Sequence, residues 1–143
     1  MKKAFKSLTK ISLMFFVLVI VSFSCTKKIA FMTSPVVPAA RGDVQVKKDK
    51  NKNYVIDVHL SELAEVNRLS PPKQTYVVWM ITEENITRNI GQISSKSGML
   101  SKQLRASFET VSSFKPIKVF ITAEDDASIL SPSGQIILTT DSF

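Results

Sequence analysis

Three kinds of residue in this chain could carry chemistry: one thiol, one imidazole and a short run of carboxylates. Cys25 is the only cysteine and His59 the only histidine. A single thiol leaves no internal disulfide to form. Hydrolytic or acid/base chemistry needs a nucleophile beside a base, or two carboxylates in different environments, and a Ser-His-Asp site here would have to use His59. His59 falls in the solvent phase of an alternating stretch with nothing like a nucleophile elbow around it, so no catalytic residue is assigned. Glu124-Asp125-Asp126 offers clustered oxygens of the kind that hold calcium, without EF-hand or repeat spacing. These three residues stand as a candidate binding site against the plainer reading of an acidic turn, and no metal or cofactor is assigned. Met32, Met80 and Met99 with His59 have the softness that copper prefers, but Met80 belongs in a core. Tyr76 and Trp79 have the rings for sugar stacking, yet three residues apart on a strand they point to opposite faces.

What decides the location of all these groups is the beginning of the chain. Met1 to Lys10 carries Lys2, Lys3, Lys6 and Lys10 without an acidic residue, and Ile11 to Phe23 follows without a charge. That is the layout of a secretory signal. The apolar run of 13 residues is shorter than the roughly 20 that span a bilayer as a helix, so cleavage is expected rather than a permanent anchor. Ser24-Cys25 directly after the run resembles the bacterial lipoprotein signal, in the relaxed form of Bacteroidetes-like lipoproteins, since Ser22 and Phe23 stand where Leu or Val is usual. The resemblance implies that Cys25 receives diacylglycerol, becomes the first residue of the mature chain and is acylated on its new amino group. Several acyl chains, each worth about 0.8 kcal/mol per buried methylene, hold firmly where one is marginal. Thr26 rather than Asp after the cysteine implies, by the same resemblance, sorting to the outer membrane.

Removal of residues 1–24 changes what composition says. Four of the 19 Lys+Arg leave with the signal, so 15 face 12 Asp+Glu and the net charge falls from +7 to +3. The pI of 9.6 therefore overstates the basic character, and nucleic-acid binding is not expected. The 119 residues from Cys25 onward suffice for one compact domain.

Residues 25–40 contain Pro35 and Pro38 and no clean period, which predicts an extended tether, with Lys27 and Lys28 at headgroup level. From residue 41 the pattern becomes that of strands. Val44 and Val46 alternate with polar neighbours, a polar turn follows over Lys48-Asp49-Lys50-Asn51-Lys52-Asn53, and Tyr54, Ile56, Val58 and Leu60 alternate again; this predicts a β-hairpin. Its lysine run fits phosphate or headgroups, or simply a solvated tip. Leu60 to Leu69 predicts a loop with at most one helical turn, ended by Pro71-Pro72. Tyr76 to Ile81 is apolar on both faces, which predicts a central strand covered on both sides, or one covered by a second sheet and by loops. Further strands are expected over 87–93, 99–108, 114–123 and 134–140, with Glu109 to Ser113 ambiguous. Seven short strands with polar turns predict an all-β, immunoglobulin-like antiparallel sandwich over 41–143.

Tyr76-x-x-Trp79, Ile90-Gly91-Gln92-Ile93, Phe120-Ile121-Thr122-Ala123-Glu124 and Ser131-Pro132-Ser133-Gly134-Gln135-Ile136-Ile137-Leu138 resemble, in order and spacing, the extracytoplasmic C-terminal domain of the anti-sigma-K factor family. The resemblance runs from about Arg41 to Thr140. It implies a fold and an extracytoplasmic position. It does not extend to sigma binding, which in that family uses a cytoplasmic helical domain where this chain has ten residues. In the family the Thr-x-Glu segment leads into a Pro-Gly-Gly-rich loop; Asp125 to Leu130 replace it here.

The expected protein is a lipid-anchored envelope sandwich with a non-catalytic binding, sensing or structural role. Its partners would be membrane lipid through Cys25 and an envelope protein or ligand. The alternative is a ligand- or metal-binding accessory lipoprotein using the 124–133 loop.

Overall fold

The computed structural model of the chain describes residues 26–93 and 105–143. Cys25, the signal, the expected turn over 94–98 and most of the expected strand over 99–108 lie outside these residues. Among the described residues no helix is long and apolar enough to cross a membrane.

Eight strands form two antiparallel four-stranded sheets: β1 (Lys27–Ala30), β2 (Arg41–Lys48), β3 (Tyr54–Ser61), β4 (Thr75–Thr82), β5 (Thr87–Ile93), β6 (Ala106–Ser112), β7 (Pro116–Glu124) and β8 (Gln135–Thr139). The first sheet has the order β1-β2-β3-β6 and the second β5-β4-β7-β8. The chain changes sheet between β3 and β4, β5 and β6, and β6 and β7, the Greek-key wiring of immunoglobulin-like sandwiches. The expected all-β sandwich is what forms.

Period two explains the first sheet. Val44, Ile56, Val58 and Leu60 turn inward and are buried, while Asp43, Asp57 and His59 lie on the opposite face. The inner face meets Tyr76, Val78 and Met80 of β4, Val119 and Ile121 of β7, and Ile137 and Leu138 of β8 in one continuous core. β4 is buried at almost every position because both of its faces are covered. Its inward residues join that core, and Val77 and Trp79 form a second, smaller apolar cluster with Phe120 on the outer face.

Tyr76 is fully buried, and its hydroxyl donates to the Ala64 carbonyl at 2.9 Å. Burial pushes its pKa from 10.0 up to about 12, so the folded state keeps a proton that the unfolded chain releases first. This stabilisation is complete below pH 10 and lost as pH rises toward 12, about 2–3 kcal/mol in all. Alkaline unfolding followed by circular dichroism should show this loss, and Tyr76→Phe should remove that part of the pH dependence.

Two expectations need correction. Residues 27–40 are not a free tether. Lys27 to Ala30 pair with β2 from Val46 to Asp43, and Phe31 bridges Thr140 of the other sheet. Phe31, Val37 and Ala40 are buried, and the Ser34 hydroxyl accepts from the amides of Val36 and Val37 at 3.2 and 3.0 Å. The segment shows no period because only Ile29 and Phe31 alternate before the prolines. The other correction concerns the end of the strand expected over 99–108: among the described residues β6 runs over 106–112, past Phe108 into the ambiguous Glu109 to Ser112. Its inward positions Ala106, Phe108 and Thr110 are half-buried, so the hydrophobic signal is weak.

Strand direction sorts the loops. Tyr54 lies opposite Ser112, and three residues link β6 to Pro116, which pairs with Thr82. The β2–β3 turn, Glu83-Glu84 and the start of β7 therefore share one end of the sandwich. Thr75 lies opposite Glu124, so the 125–134 loop leaves from the other end.

Candidate functional site

The 125–134 loop does not extend into solvent as a string of carboxylates. It folds back over the outer face of the second sheet, where Ile129 packs against the Val77, Trp79 and Phe120 cluster. The Trp79 and Phe120 rings stack with centroids 6.3 Å apart. Positions two apart on a strand share a face, and so β7 sets Phe120, Thr122 and Glu124 in one outward row.

Glu124 is 1 % exposed and is the hub that closes the loop. The Trp79 indole N–H donates to Thr122 Oγ1 at 2.8 Å, and that hydroxyl donates to Glu124 Oε1 at 2.7 Å. The same carboxylate oxygen accepts the amides of Ser133 and Gly134 at 3.1 and 2.9 Å, and Oε2 accepts the Ser133 hydroxyl at 2.9 Å. Burial by itself would raise the carboxyl pKa. The hydrogen bonds from Thr122, Gly134 and Ser133 outweigh it and hold the group below its ordinary 4.5. Gly134 is required by this closure, since a Cβ there would run into the Ala123 carbonyl and stand 2.8 Å from Glu124 Oε2.

A β-bulge holds the other side of the loop. The β4–β5 register shifts between Val78 and Trp79, with Asn89 opposite Trp79 and Gly91 opposite Val78, as bulges do when they re-aim a side chain. Asn89 Nδ2 donates to the carbonyls of Ala127 and Ile129 at 2.8 and 3.0 Å, and its Oδ1 accepts the Gly91 amide at 3.0 Å. Gly91 adopts φ +142°, and a Cβ there would strike the Phe108 ring at 2.5 Å.

The three candidate carboxylates thus do separate things. Glu124 is enclosed, Asp125 takes the Lys73 ammonium at 2.6 Å, and Asp126 caps its own turn through the amide and hydroxyl of Ser128, both at 2.8 Å, which lowers its pKa. Among the described residues no group of three His, Cys, Asp or Glu is placed to hold a metal ion. Among the loop's exposed residues, which include Asp125, Asp126 and Ser128, the large apolar one is Leu130, 92 % exposed. Asn89, Thr122, Ser133 and Gly134 were not singled out as functional from the sequence. The only signal for them was that Thr122 and Glu124 share the outward phase of a strand beside Trp79.

His59 stands on the outer face of the first sheet between Asp43 and Ser107, its cross-strand partners. The row has the residue types of a hydrolase triad without its contacts. His59 Nδ1 is 3.9 Å from Asp43 Oδ2, and Nε2 faces Asp57 Oδ1 at 3.6 Å, both longer than a hydrogen bond. An open groove of about 520 Å³ runs beside it, bordered by Asp43, His59, Ser61, Arg105 and Ser107.

The β2–β3 turn is built around Asp49. Its Oδ1 accepts the amides of Asn51 and Asn53, both at 2.8 Å, and its Oδ2 accepts Asn53 Nδ2 at 3.2 Å. The turn's acidic side chain is spent inside it, and Lys47, Lys48, Lys50 and Lys52 are exposed.

Comparison with protein-family models, curated proteins and solved structures finds no match to this chain.

Proposed function

We propose that the protein is a lipoprotein of the cell envelope, held at the outer membrane by acylated Cys25, whose sandwich binds an envelope protein or ligand without catalysing a reaction. The observation that carries this reading is polarity. Cys25 comes two residues before β1, which enters the sandwich at the β2–β3 turn end, while the closed 125–134 loop leaves from the other end and lies over the outer face of the second sheet with Leu130 exposed. The turn end is suited to attachment and the loop to display. The four-lysine, apolar, Ser24-Cys25 order supports the anchor. The resemblance of residues 41–140 to the anti-sigma-K C-terminal domain supports an extracytoplasmic position, with no sigma factor as partner. Fold alone assigns no activity.

Metabolic labelling with an alkyne fatty acid tests the anchor: wild type should take up label and Cys25→Ala should not. A photo-crosslinker at position 130 tests display. It should give a discrete adduct in intact cells that the same group at position 109, on the first sheet's outer face, does not give. Label in Cys25→Ala, or identical adducts from both positions, would argue against the proposal.

A further inference from the structure

Resting on the lipoprotein reading above, we infer that the β2–β3 hairpin is a second, electrostatic membrane contact: Lys47, Lys48, Lys50 and Lys52 meet the headgroups of anionic phospholipid beside the acylated Cys25, and the sandwich stands on this end. The sequence separates these lysines from Cys25 by more than twenty residues. Strand pairing removes that separation, because Lys27 lies opposite Val46. From Lys27, two residues of chain reach back to Cys25, at most about 7.6 Å. From Val46, two residues of strand reach forward to Lys48, about 7 Å in the same direction. The acyl chains and the lysine turn therefore reach the same surface.

Three features make the contact specific to this end. The turn is pre-formed around Asp49, so little ordering remains to be done on contact. None of the four lysines is in an ion pair among the described residues; Lys48 lies over the Tyr54 ring at 5.1 Å, and the turn's own carboxylate is turned inward. The outer face of the first sheet, on which the domain would otherwise lie down, mixes Asp43, Asp57 and Glu109 with Lys28, Arg41 and Arg105, Lys28 being paired with Asp43 at 3.2 Å, so beyond Lys47 it offers no run of unpaired lysines among the described residues. On the second sheet, the same end carries Glu83, already bound by Lys115 at 2.6 Å, and Glu84. Each lysine brought to such a surface is worth about fivefold in affinity, so the four together set orientation even with the anchor holding the protein in place.

The mature protein is purified in detergent and labelled with a fluorophore on Asn51→Cys or, separately, on Leu130→Cys. Each is reconstituted in vesicles of phosphatidylcholine with or without 30 % phosphatidylglycerol (a composition chosen, about typical for anionic leaflets). Energy transfer to a headgroup acceptor reads distance, and intact mass on the same samples reads acylation. With phosphatidylglycerol, position 51 should lie at the headgroups and position 130 about 13 Å or more further out, since Ile129 packs over Phe120, four residues of β7 from the end at Pro116. Lys47→Glu, Lys48→Glu and Lys50→Glu together, all at exposed positions, should move position 51 away from the headgroups, to the distance found in phosphatidylcholine alone or in 1 M salt, where the anchor acts by itself. Equal transfer from both positions in the anionic vesicles, or a position-51 distance unchanged by the triple reversal, overturns the inference. A mass without lipid counts against the lipoprotein reading alone. The labels, then placed in a Cys25→Ser background, still decide the hairpin contact.

Discussion

Trp79→Ala should cost about 3–5 kcal/mol, the range for deleting a fully buried aromatic. This is a large share of the 5–15 kcal/mol that stabilises a typical domain. The residue does not lie between the sheets. It lies on the outer face of β4, where an exposed tryptophan would cost little to remove. What makes the difference is the cover: Ile129 and Phe120 close over the indole, and its N–H is satisfied at 2.8 Å by Thr122. Deleting the ring leaves a cavity under the loop and takes away the surface on which the loop rests. Trp79→Phe keeps most of the area and loses the hydrogen bond, at about 1 kcal/mol plus a small cavity term. Urea unfolding followed by circular dichroism measures both. Trp79→Ala within 1 kcal/mol of wild type would mean that the loop does not close over this face.

Glu124→Ala should be the other severe substitution, costing about 3 kcal/mol. It strands the Ser133 and Gly134 amides and the Thr122 hydroxyl, and a buried polar group left without a partner costs about 1–3 kcal/mol. Glu124→Gln keeps the shape and loses the charge-assisted bonds, so about half that loss is expected. The carboxyl also predicts a pH dependence of definite sign. Its folded pKa lies below its ordinary 4.5, so the unfolded chain binds the proton first as pH falls. The stabilisation is complete above the ordinary value and is lost as pH drops through the depressed one. Denaturant midpoints between pH 6 and pH 3 should fall for wild type and fall less for Glu124→Gln. Parallel curves would place the carboxylate outside the network described.

Both substitutions bear on binding as well as stability. The 125–134 loop presents Leu130 only because Glu124 and Asn89 hold its two sides, so a variant that opens the loop should lose display before the sandwich unfolds. Asp125 and Asp126 contribute less, one through an exposed ion pair of the kind worth at most about 1 kcal/mol, the other through its own turn.

The sequence made some of this readable. The continuous apolar run of β4 required cover on both faces, and the three-residue spacing of Tyr76 and Trp79 put them on opposite sides; the second sheet and the loop supply that cover. The Asn- and Asp-rich turn between Val46 and Tyr54 marked the hairpin. The path of β1 was not readable, because two apolar residues ahead of two prolines carry no period, and its pairing partners lie thirteen to nineteen residues on. Glu124 was equally opaque. An acidic triplet after a strand reads as a solvated turn or an oxygen-rich site, and what decides between them is where the Ser133 and Gly134 amides return, nine and ten residues later.

The central claim is that Cys25 is the lipid-bearing first residue of the mature protein. Intact-mass analysis of the detergent-extracted protein, beside a Cys25→Ala variant, tests it most directly. The account predicts a wild-type mass equal to residues 25–143 plus acyl groups, with the variant left unprocessed at full length. A wild-type mass equal to the whole 143-residue chain, without lipid, would contradict it.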